Sequence, residues 1–115
     1  MQTSLRIVIP SRKRVRVLAE RALTLFPDAT VTVAESEMGD YKSLIAPERL
    51  IPHPDEVSGI APIRQWVLDR FDDECIVFVD DDVYRLISLV GYSYMNITSA
   101  ANAARIVENT ANIAR

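Results

Sequence analysis

The sequence predicts an α/β domain built on a mostly parallel sheet with flanking helices. Three observations predict it. Short strand-forming runs alternate with segments whose apolar residues recur at helical spacing. The first run, Leu5-Arg6-Ile7-Val8-Ile9-Pro10, closes on a proline that cannot continue a central ladder. The run Cys75-Ile76-Val77-Phe78-Val79 is apolar throughout, as a parallel strand buried on both faces is.

The elements follow in order. Ser11 can cap a helix in which Val15, Leu18, Ala22 and Leu25 recur through about Phe26. Pro27-Asp28 makes a turn, and the β-branched run Ala29 to Ala34 is the second strand. Glu35 to Ile45 reads as a short loop and helix with a break at Gly39-Asp40. Leu50-Ile51-Pro52 is a short third strand, and His53 to Gly59 is a loop. A helix then runs from about Gly59 to Phe71. Ile60, Ile63, Val67 and Phe71 form its stripe, Trp66 lies beside it in the core, and Pro62 sits in the first turn. The fourth strand, Cys75 to Val79, is expected to be central, and Tyr84 to Val90 is a fifth. Thr98 or Ser99 caps a last helix that continues to Arg115. The order β-α-β-α-β-α-β-β-α implies right-handed crossovers.

Composition bounds what such a chain does. Its 115 residues make one domain, and 49% apolar residues supply a core. No apolar run approaches the ~18 residues of a membrane span, and no signal-peptide pattern precedes the first strand. The single cysteine, Cys75, sits in an apolar strand and reads as a buried structural thiol. A disulfide frame and a Cys-rich zinc site are excluded, and a reducing cytoplasm is the expected setting. The net charge of -3 hides an asymmetry. Residues 72–82 carry six of the 16 acids; without them, 10 acids face 13 bases. Arg6, Arg12, Lys13, Arg14, Arg16 and Arg21 cluster early. For Lys13, Arg14 and Arg16 a solvated helix face is the preferred reading.

Asp80, Asp81 and Asp82 directly follow the apolar strand. In open α/β sheets ligands bind outside the carboxyl ends of the strands. Three adjacent acids repel one another there unless a cation or a set of donors compensates. A Walker B strand also ends in acid, but Gly39, Gly59 and Gly91 do not form its partner loop. A phosphatase or receiver-type site usually places its aspartate after the first strand, where this chain has Pro10-Ser11. A nucleotidyltransferase of this kind carries a glycine-rich loop there, which is absent.

The acids, with two further motifs in order, resemble the GT-A family of nucleotide-sugar-dependent glycosyltransferases. Ile7-Val8-Ile9-Pro10-Ser11-Arg12 is similar to that family's first strand and turn. Gly59 to Trp66 resembles its Gly…Ala-Arg-Asn helix start, and Ile76 to Asp82 its strand and Asp-x-Asp motif. The resemblance covers residues 5 to about 90; of Ala-Arg-Asn only Arg64 carries over. It implies the Rossmann-like nucleotide-binding half of a GT-A fold. Residues 1–115 would form one nucleotide-sugar-binding domain within a longer glycosyltransferase, most of whose acceptor half is missing here. A narrower resemblance is to the TET-associated glycosyltransferases of bacteriophages, which implies a modified DNA base as acceptor.

The resemblance and strand-like alternation together make Asp82 the first candidate metal ligand, with Asp80 on the ribose or a metal-bound water and Asp81 facing oppositely or doing either. Hard oxygen donors suit Mn²⁺ or Mg²⁺. The alternative is a solvated acidic turn. The resemblance places Pro10, Ser11 and Arg12 by the nucleobase and ribose, and Glu35 against the same groups. Arg64, early in its helix, can grip phosphate, or pair on the surface with an acid such as Asp69. His53 reads as a loop residue, because no nucleophile pairs with it. No catalytic base is assigned. Two rival functions stand beside transfer of a sugar from a nucleoside diphosphate. One is a non-catalytic module that binds a partner or forms a homo-oligomer through Ile97, Ala101, Ala104, Val107 (or Ile106) and Ala111 of the last helix. The other is a metal-dependent phosphohydrolase using Asp80 to Asp82.

Overall fold

The computed structural model describes residues 5–73, 75–84, 86–90, 93–97 and 100–114. Four parallel strands form the main sheet: β1 (Leu5–Pro10), β2 (Thr30–Ala34), β3 (Leu50–His53) and β4 (Cys75–Phe78), in the order β3-β2-β1-β4. The chain steps outward from β1 to β3, passing α1 (Val15–Glu20), α2 (Ala22–Leu25) and α3 (Met38–Tyr41), then returns through α4 (Ile60–Arg70) to place β4 on the other side of β1. This reversal makes a topological switch point between β1 and β4, where a crevice opens at the carboxyl ends. The predicted α/β class, with helices flanking a parallel sheet, is the one observed.

The core lies on one side of β1 and β2. Ile9, Val31 and Val33 meet Leu18, Ala22, Leu25 and Phe26 of the following helical segment, and Tyr41 and Ile45 close the cluster. Leu18 has no exposed surface. Leu18→Ala is expected to cost about 2–5 kcal/mol, because the cavity adds to the lost transfer energy. Urea unfolding followed by circular dichroism checks it; a loss below about 1 kcal/mol would mean that the site is not packed as described. Among the described residues β3 pairs on one side alone, with β2, so Pro52 is tolerated there.

Several expectations are corrected. The first helix is two: α1 (Val15–Glu20) and α2 (Ala22–Leu25), broken at Arg21 with φ -122° and ψ -90°. The break frees the Ala22 N–H, which donates to the Asp81 carbonyl at 3.4 Å. Ser11 caps nothing. Arg14 is the N-cap, without a side-chain cap, and Ser11 is buried under the acidic turn. Strand β4 is not central among the described residues. It pairs only with β1, its residues are half-buried, and Cys75 is half-buried with them. In α4 only Val67 is buried, and Ile60 is 70% exposed because the first turn stands at a cleft mouth. Gly59 enters that helix at φ 92°, a left-handed conformation that any side chain would strain.

The chain continues through β5 (Leu86–Val90) and β6 (Ser93–Ile97), an antiparallel pair apart from the main sheet. No strand was expected at β6. The last helix, α5 (Ala100–Ala114), packs Ala103 and Val107 into the chain's own core. The proposed caps Thr98 and Ser99, and Arg115, lie outside the described residues, as do the side chains of Ile97, Ile106 and Ala111. Among the described residues no helix is long and apolar enough to cross a membrane.

Candidate functional site

A cleft of about 600 Å³ opens at the carboxyl edge of the main sheet. Its volume falls in the usual range for small-molecule and cofactor sites. Four loops, one after each parallel strand, build it. After β1 come Ser11 to Arg14; after β2, Ser36 and Glu37; after β3, Asp55 and Val57 to Gly59; after β4, Asp80 to Asp82. Arg64 joins from α4, and Pro10, His53 and Phe78 form strand-end walls. Of the sequence-predicted site residues, Pro10, Ser11, Arg12, Arg64, Asp80, Asp81 and Asp82 thus line one cavity. Glu35 does not. It opens a 3₁₀ turn (Glu35–Glu37) that exposes it and carries Glu37 into the cleft instead.

The three acids occupy a turn rather than an extended strand, closed by the Val83 N–H on the Asp80 carbonyl at 3.3 Å. Their environments nevertheless alternate. Asp80 is exposed, and its carboxylate has no hydrogen-bond or ion-pair partner among the described residues. Asp81 is buried, accepting from Ser11 Oγ at 3.0 Å and facing Arg14 Nη2 at 3.2 Å. The side chain of Asp82 is 47% exposed and meets the same guanidinium at 3.4 Å.

Donor logic orders the buried network. An ionised carboxylate only accepts, so the Ser11 hydroxyl proton goes to Asp81. Ser11 Oγ then accepts from the Tyr41 hydroxyl at 2.8 Å, and that hydroxyl accepts the Arg14 N–H at 3.2 Å. Tyr41 has no exposed surface. The β1–α1 loop is thereby fixed to the acidic turn from below. Lys13 in the same loop holds φ 53°, unusual for a residue other than glycine, and donates its N–H to Glu37.

The basic cluster seen in the sequence disperses in space. Arg6 stacks on Phe71 and pairs with Asp73 at 2.7 Å. Arg16 pairs with Glu20 on the solvent side, as expected of a solvated face, and Arg21 lies over Tyr84. Arg14, assigned to that solvated face, instead reaches the acids. Arg64 lies over the Phe78 ring at 5.5 Å, while Asp69, its candidate partner, takes Gln65. His53 is no loop residue. It ends β3, buried, with Nδ1 against the Pro54 carbonyl and its ring edge toward Trp66, which is half-buried rather than core.

Sequence reasoning missed Arg14, Glu37, Asp55 and Tyr41. The rule that strand ends carry the site points to Asp55, two residues past β3. No local signal marks Tyr41.

Four basic side chains and five carboxylates line the cleft. A diphosphate entering this balance gains no net attraction without an added cation. Among the described residues no three His, Cys, Asp or Glu side chains are grouped to hold a metal. Asp80, without a partner among the described residues, and Asp82, half-exposed against Arg14, are the carboxylates that could join a cation of the Mg²⁺ type, which binds one or two carboxylates and completes its shell with phosphate oxygens and water. No protein-family model matches the chain, and comparison with curated proteins and with solved structures finds no match.

Proposed function

We propose that this chain is the donor-binding domain of a glycosyltransferase, taking a nucleoside-diphosphate sugar together with Mn²⁺ or Mg²⁺. The observation that supports it is the convergence of Ser11, Arg12, Arg64 and Asp80 to Asp82, from three distant segments, on one cleft at the sheet's switch point. The base and ribose would lie toward the ends of β2 and β3, by Glu37, His53 and Asp55, and the diphosphate toward the acids. Asp80 and Asp82 would hold the cation, which when bound supplies a Lewis acid for the departing diphosphate. Arg64 and Arg12 are exposed cations at the mouth, suited to phosphate. The acceptor is open, with a modified DNA base one candidate.

Isothermal titration of UDP, GDP and ADP, with and without Mn²⁺, tests this reading. The expected result is binding of at least one diphosphate that Mn²⁺ strengthens. Failure of a folded chain to bind any of them in either condition rejects it, and release of phosphate from an aryl phosphate would favour a phosphohydrolase. Arg64→Ala is expected to weaken diphosphate binding about tenfold, or ~1.4 kcal/mol. The urea midpoint should hold, since Arg64 is exposed. An unchanged affinity would remove Arg64 from the site.

A further inference from the structure

We infer that Arg14 is an internal competitor for the cation, and that it couples metal binding to diphosphate binding. This rests on the reading of the cleft as a diphosphate and metal site. Arg14 Nη2 stands 3.2 Å from Asp81 and 3.4 Å from Asp82. One guanidinium therefore faces two of the three acids and offsets one of their two negative charges in the absence of any ligand. The two carboxylates differ in what they stand to lose. Asp81 is buried and keeps the Ser11 hydroxyl whatever Arg14 does. Asp82 is half-exposed, and Arg14 is its only side-chain partner among the described residues.

Both contacts are long for charge-assisted hydrogen bonds, which run about 2.7–2.9 Å. The Arg14 side chain is itself 46% exposed. The Arg14–Asp82 pair, half-exposed on both sides, contributes little. Its backbone, by contrast, is fixed, with the N–H on the buried Tyr41 hydroxyl. The guanidinium thus sits on an anchored stem within a cleft it also lines.

The consequence is a linkage. A divalent cation approaching Asp82 alone meets a positive charge already there and is disfavoured. A diphosphate offers Arg14 a better partner, drawing the guanidinium off Asp82 and exposing that carboxylate to the cation. Each ligand then strengthens the other by the same factor. The arrangement keeps the site closed to free metal and opens it to the metal–diphosphate pair.

Mn²⁺ titration of the full chain, with and without UDP or GDP, tests this in Arg14→Gln. With Mn²⁺ alone, R14Q is expected to bind about tenfold more tightly than the parent, the size of removing one nearby positive charge at a partly solvated site. The enhancement that diphosphate gives to Mn²⁺ should shrink by a similar factor. Arg16→Gln removes the same charge from the solvent side of α1 and should leave Mn²⁺ affinity unchanged. Adding Asp82→Asn to R14Q should cancel the gain. Unchanged, weaker or undetectable Mn²⁺ binding in folded R14Q overturns the inference, as does an equal gain in R16Q. The metal-alone arm separates the two claims. If no diphosphate binds the parent but R14Q still gains Mn²⁺ affinity over R16Q, the donor reading fails while the competition stands.

Discussion

Asp82→Ala is expected to abolish the strengthening of diphosphate binding by Mn²⁺ while leaving the fold intact. The argument begins with exposure. Asp82 has 47% of its side chain in solvent, and its described partner is a half-exposed arginine at 3.4 Å. Such a pair contributes about 0–1 kcal/mol, so the urea midpoint should move little. A cation shared between two carboxylates and a diphosphate loses one of its two protein anchors. A fall of about 100-fold in Mn²⁺-supported affinity, or ~2.7 kcal/mol, is expected. Affinity measured without Mn²⁺ should change far less. Asp81→Ala supplies the contrast. It removes the buried acceptor of Ser11 and a partner of Arg14, so it should cost stability, about 1–3 kcal/mol. If both variants lose stability and neither loses metal dependence, the acids are structural and the metal assignment falls.

How much of the fold the residues disclose depends on whether the signal is local or spatial. Strands β1, β2 and β4 and helix α4 come from runs whose period is written in the chain. The placement of Asp80 to Asp82 at a strand's carboxyl end follows from a rule about parallel sheets, and these residues line the cleft there. Glu35 stands outside the cleft because a 3₁₀ turn begins at that residue, and a single turn brings Glu37 to the lining instead. For Arg14 composition shows only a basic run, whereas the break at Arg21 ties the acidic turn to the same helical segment. The apolar residues of β4 suggest a central strand, but among the described residues it pairs on one side alone and is half-buried. The remaining link, Tyr41, makes its contacts with Ser11, 30 positions away, and no local pattern carries such a pairing.

That pairing carries the second large effect. Tyr41→Phe removes one oxygen from a wholly buried place and leaves two groups short. The Arg14 N–H loses its acceptor, and Ser11 Oγ loses a donor. Burial limits replacement by water, so the expected cost is about 1–3 kcal/mol. Tyr41→Ala adds the loss of a packed ring, and about 3–5 kcal/mol is expected by analogy with other large aromatic truncations. Urea unfolding separates the two. Y41F also carries a functional prediction, since it preserves the ring and thus the core. Freed from Tyr41, the loop from Ser11 to Arg14 no longer presents a fixed Arg14, and diphosphate affinity should fall. A double-mutant cycle isolates the network from simple packing. In the Y41F background, Ser11→Ala should cost less than it does alone, with a coupling of about 0.5–1.5 kcal/mol. Additive costs would mean that Ser11 and Tyr41 act separately, and the loop would then owe its position to packing rather than to a hydrogen-bonded chain ending at Asp81.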